Sequence, residues 1–119
     1  MAPPPAAAFQ NAVDLIAPDD PAAHAVELLL IALTTADADR AVIATASIPL
    51  MMVGTCQCAL MVGQLQLAPI QRIARCLLPP QYLEALEEIG ATRFRLPAFV
   101  VAASYDAVGL TIEITRIRR

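Results

Sequence analysis

Between Arg40 and Arg72 the chain runs for thirty-one residues, Ala41 to Gln71, without a charged side chain. Apolar surface left in water costs roughly 25 cal/mol per Å², so this run has to be packed into a core, placed in lipid or covered by a partner. Ala41 to Gly63 has the length for a membrane span, which takes ~20 predominantly apolar residues. Thr45, Ser47, Thr55 and Gln57 fall inside that window, Pro49 interrupts it, and neither end carries an aromatic belt. If it spans, Asp37 and Asp39 before it and Arg72 and Arg75 after it place the C-terminal side in the cytoplasm.

The polar residues favour a second solution. Thr45 and Ser47, Thr55 and Gln57, and Gln64 and Gln66 are each two apart, which puts each pair on one face of a strand but on opposing sides of a helix. Gly54-Thr55 suits a Gly-first two-residue turn. A hairpin about that turn sets Thr45 opposite Gln64 and Ile43 opposite Gln66, with Val42, Ala44, Ile48 and Leu50 facing Leu67, Leu65, Met61 and Ala59. The hairpin is the preferred reading, the span is the alternative, and a buried helix is third.

Composition sharpens the question of cover. Apolar residues make up 58% of 119 and the mean hydropathy is +0.62, against ~45–50% in ordinary soluble domains. The length is that of one domain. Residues 1–19, beginning MAPPPAAAFQ, read as a flexible Pro/Ala-rich arm holding at most a short helix on Phe9, Val13 and Ile16, and residues 20–119 as a single α+β domain. The arm lacks the basic and apolar regions of a secretory signal.

Net charge is −3 and lysine is absent. Residues 1–71 carry Arg40 against six acids, and residues 72–119 carry seven arginines against five. An acidic total without a basic stripe, and no Trp for base stacking, argue against nucleic acid as a partner. Cys56, Cys58 and Cys76 are odd in number and not spaced as a disulfide framework; they suit reduced thiols and a cytoplasmic location, or the inner membrane if the span forms.

Flanking elements follow from punctuation. Asp20 as N-cap and Pro21 at the first helical position predict a helix to about Thr35, polar along His24, Glu27 and Thr34. Pro69 opens a second helix with Ile70, Ile73 and Leu77 on one stripe. Pro79-Pro80 breaks it, and a third follows with Leu83, Leu86 and Ile89 inward and Gly90 as its left-handed terminator. The remainder, from Thr92 on, reads as a hairpin connected by Tyr105 to Gly109. Pairing Ser104 with Leu110 puts Val100 and Ala102 in the core with Ile114 and Ile112. Phe99 and Val101 then stand on an outer face with Thr115 and Glu113, on an edge strand marked by Pro97.

The order helix, hairpin, helix, hairpin predicts an α+β fold with a four-stranded antiparallel sheet and helices on one face. The alternative is one transmembrane helix near 41–63 followed by a C-terminal β-hairpin domain.

No motif names a reaction. Cys56-x-Cys58 puts two thiols on one strand face, where with Cys76 they form a soft-metal set lacking a fourth ligand. His24 with Glu27 one turn on has no nucleophile near it. Four scattered glycines make no phosphate-cradling loop. Accordingly no catalytic, cofactor or metal residue is assigned.

The sequence points to a noncatalytic interaction or assembly module, self-associating or a small subunit of a larger complex. A membrane-anchored protein and a binder of a small apolar ligand are the alternatives. The expected partner interface is Phe99, Val101 and Thr115 with Arg116, Arg118 and Arg119, the arginines converging with Arg93 and Arg95 at one end of the final hairpin.

Overall fold

In the computed structural model, which describes residues 23–60 and 63–117, the uncharged run is neither a span nor one hairpin. It forms three strands, and then enters a helix. β1 (Arg40–Ala44) is followed by β2 (Leu50–Val53) and β3 (Cys56–Ala59). The turn at Gly54-Thr55 is the one the sequence predicts: Val53 pairs with Cys56 and Leu50 with Ala59, and Gly54 takes φ +61°.

The strand does not continue back to Val42. Ala46 takes a left-handed φ of 59° and Pro49 has no N–H to give a ladder. The chain therefore turns between Thr45 and Pro49, and β2 folds back on β1 with Arg40 opposite Met52. β1, β2 and β3 occupy the stretch where a transmembrane helix near 41–63 was the alternative, which corrects that expectation, and among the described residues no helix is long and apolar enough to cross a membrane.

The remaining elements are α1 (Ala23–Thr35), α2 (Leu67–Leu77), α3 (Pro80–Ile89), β4 (Ala91–Arg95), β5 (Phe99–Tyr105) and β6 (Leu110–Arg116). The sheet is six-stranded and antiparallel, in the order β3-β2-β1-β6-β5-β4. This corrects the expected four strands and the helix-hairpin-helix-hairpin order. Two turns that sequence reading passed over make the difference, the one at Thr45–Pro49 and the one at Pro97-Ala98. At the latter the Leu96 N–H donates to Phe99 O at 2.8 Å and separates β4 from β5.

Helix boundaries follow the proline and glycine positions. Pro69 lies in the first turn of α2, where no intrahelical partner is lost, and Ile70, Ile73, Ala74 and Leu77 are buried. Pro80 starts α3, and Gly90 closes it at φ +91° with its N–H on Leu86 O. Ile89, expected inward, is 79% exposed. The N-terminal arm, with Asp20 and Pro21, lies outside the described residues.

The helices cover one face of the sheet. Leu29, Leu33, Ile70, Ile73 and Leu86 pack with Ile43, Val101, Leu110, Ile112 and Ile114 in one apolar cluster, and no described polar or charged residue is buried. Burial alternates along β5 and β6, the signature of a sheet covered on one side.

Candidate functional site

That alternation decides which residues are available to a partner. β5 and β6 pair with Tyr105 opposite Leu110, Val101 opposite Ile114 and Phe99 opposite Arg116, one residue out from the expected Ser104–Leu110 pairing. A slip of one sends every side chain of a strand to the other face. Phe99 is therefore 6% exposed and Val101 is fully buried, both in the core. β5 is also an inner strand, between β4 and β6, and not an edge. The expectation that Phe99 and Val101 form an exposed edge surface is overturned.

Asp106 sets this register. Its Oδ1 accepts the N–H groups of Val108 and Gly109 at 2.8 and 3.0 Å, and its own N–H donates to Gly109 O. The loop is thus Asp106 to Gly109, and Tyr105 remains in the strand.

The sheet face opposite the helices carries no other element among the described residues. One cross-strand row reads Gln57, Met52, Arg40, Thr115, Val100, Arg95, and the next Ala59, Leu50, Val42, Glu113, Ala102, Arg93. Not one of these residues is buried. Val42, Leu50, Met52 and Val100 make an apolar centre, part-exposed, and the exposed Arg93 and Arg95 stand at the β4 side. Arg40 Nη1 lies 3.5 Å from Glu113 Oε1 across the middle, an exposed pair worth ~0–1 kcal/mol. Glu84, Glu87 and Glu88 are exposed on α3, on the other side of the molecule.

Of the six residues expected at the interface, Thr115 does lie on this open face. Arg116 faces the other way and forms an ion pair with Asp37, while Arg118 and Arg119 lie outside the described residues. The arginine convergence is consequently split, with Arg93 and Arg95 on the open face and Arg116 held at the end of α1. Val100, Ala102, Val42, Leu50 and Met52 were missed. The Asp-x-x-Gly pattern at 106–109 was the signal that would have found the first two.

The thiols are free and exposed. Cys56 and Cys58 share a strand face, opposite Val53 and Met51 on the helix side of the sheet, while Cys76 is on α2, where partial desolvation raises its thiol pKa. Among the described residues no group of three His, Cys, Asp or Glu side chains could hold a metal ion. A cleft between α2, α3 and β5, lined in part by Gln71, Leu83, Glu87 and Tyr105, has about 20 Å³, room for one water.

No family model matches the chain, and no curated protein matches its sequence. A match exists among solved structures. The Legionella pneumophila ATPase DotB superimposes with a TM-score of 0.68 at 16% identity, over 85% of this chain. The chain spans 31% of the length of DotB, so the likeness is one of fold, to a part of a larger protein.

Proposed function

We propose that this domain is a noncatalytic association module, one part of a larger assembly, whose open sheet face is covered by an acidic protein surface. The observation that supports it is the sheet face that no described helix covers: Val42, Leu50, Met52 and Val100 stay part-exposed at its centre with Arg93 and Arg95 beside them. An apolar centre with an arginine margin is the composition of protein interfaces, and the margin selects an acidic counterpart.

The likeness to DotB is one of fold, to 31% of an ATPase chain. The present chain holds no lysine and so lacks the P-loop residue that reaches the nucleotide phosphates. Its contribution is contact, not phosphate chemistry. Three free thiols suit a reducing compartment such as the cytoplasm.

The test is site-specific photo-crosslinking in cells. A benzophenone side chain at Val100 or Leu50 should give a discrete protein adduct, weakened when Arg93→Glu and Arg95→Glu are combined; the same group at Glu88 should give none. Equal adducts from all three positions, or none from the open face, would overturn the assignment.

A further inference from the structure

The two edges of the sheet are built differently. β4 carries exposed Arg93 and Arg95, has Pro97 just beyond its end, and is packed by α3, with Tyr82 and Phe94 rings 4.9 Å apart. Charge, proline and a covering helix are the usual protections of an edge strand. Among the described residues β3 has none of them. Its four residues, Cys56, Gln57, Cys58 and Ala59, are all exposed, uncharged and free of proline, and no described strand pairs with its outer side.

We propose that β3 is where two copies of this chain join, antiparallel and across a two-fold axis normal to the sheet, giving one continuous sheet twice as wide. The inference rests on the reading of the domain as an association module and names a second copy as a further partner.

Symmetry limits the pairing, and the register proposed is the one that sets cysteine against cysteine. Such an axis keeps each side chain on its own side of the sheet, so a residue can only oppose one of like parity in the second copy. Cys56-Gln57-Cys58 is palindromic. In the register centred on Gln57, each Cys56 faces Cys58 of the second copy and the two Gln57 amides face each other, each able to donate an N–H to the other's carbonyl.

The environment on each side also fits. The cysteines extend the row of Met51, which is buried, and Val53, so pairing lengthens an apolar row. Gln57 stands beside Met52 on the open face, so the two open faces become one. No like charges meet at this edge, whereas a β4–β4 contact would set Arg93 and Arg95 against their copies.

Opposed residues in an antiparallel pair have Cα atoms ~4.5 or ~5.5 Å apart, within the range a disulfide needs. The thiols therefore report the register. All proteins in the test are full length and carry Cys76→Ser. Variant one adds Cys58→Ser and variant two adds Cys56→Ser. The oxidant is a diazenedicarboxamide: two thiols give it two protons and two electrons, forming one S–S bond and the hydrazine.

Oxidised alone, neither variant should form covalent dimer efficiently, because each remaining cysteine faces serine. Mixed, they should cross-link at least tenfold more, through Cys56 of one and Cys58 of the other. Under reducing conditions light scattering should give twice the 12.6 kDa chain mass, and Gln57→Lys should weaken that dimer at least tenfold with an unchanged circular dichroism spectrum.

A reduced protein that stays at the single-chain mass would overturn the proposal. Equal cross-linking of mixed and unmixed variants would overturn the register and with it the proposal. Photo-adducts from Val100 that persist when the dimer is absent separate failure of this edge from failure of the association reading.

Discussion

Single residues hold two corners of the fold. Thr45 Oγ1 accepts the Leu110 N–H and donates to Leu110 O, both at 2.9 Å, so one hydroxyl finishes the β1–β6 ladder. Gly109 passes beneath it at φ +154°, where an added Cβ would lie 2.5 Å from that hydroxyl oxygen. Gly109→Ala is expected to cost about 2 kcal/mol or more through backbone strain and overlap together, lowering Tm by roughly 10 °C. Adding Thr45→Ala should recover only part of the loss, and full recovery would show that strain contributes nothing.

At the other corner α1 ends in a Schellman arrangement, with Ala38 N–H on Leu33 O, Asp37 N–H on Thr34 O and Asp37 at φ 53°. The Asp37 carboxylate then receives Arg116, a side chain only 21% exposed. Asp37→Asn should lower stability by about 1 kcal/mol in thermal melts, and less in high salt. A change independent of salt would mean that the charge is irrelevant there.

Elements were legible where punctuation names them and illegible where parity decides. Pro80 and Gly90 bound α3 as the sequence said, and Gly54-Thr55 turned where it said. Ile70, Ile73 and Leu77 lie buried on α2 as their spacing required. The interface residues were lost to a single step of register: Phe99 and Val101 exchange faces with Val100 and Ala102 when the loop starts at Asp106. Alternation of apolar residues was weak evidence in β5, since Phe99 through Ala103 is apolar on both faces, and only the turn chemistry distinguished them. Two strands were missed because Thr45–Pro49 and Pro97-Ala98 read as interruptions, not as turns. At this scale Phe94→Ala is expected to cost ~2–4 kcal/mol, loosening β4 from α3. Faster amide exchange in Ala91–Arg95 than in β6 would follow. Uniform acceleration through the sheet would show instead that β4 does not open as a unit.

For the molecule as a whole, the uncharged run and the 58% apolar content are accommodated by a core on one face and an open surface on the other. The helix side carries the acids of α3, and the open side carries Arg93 and Arg95. Replacing both arginines by Gln should change stability by less than about 1 kcal/mol, while abolishing the salt sensitivity of whatever covers the open face. Unaltered salt sensitivity would place the recognised charge elsewhere.

The strand order also dictates when the chain can be finished during its synthesis. β1 lies between β2 and β6, and β6 is the last described strand. As the chain leaves the ribosome, residues 40–60 can close only their own three-stranded meander, with Ile43 and Ala41 waiting for Ile112 and Ile114. Until residues 110–116 arrive, β1 is a naked edge beside an uncharged sequence, the condition in which nascent chains aggregate. The stretch that defines this fold is therefore the one most in need of a chaperone.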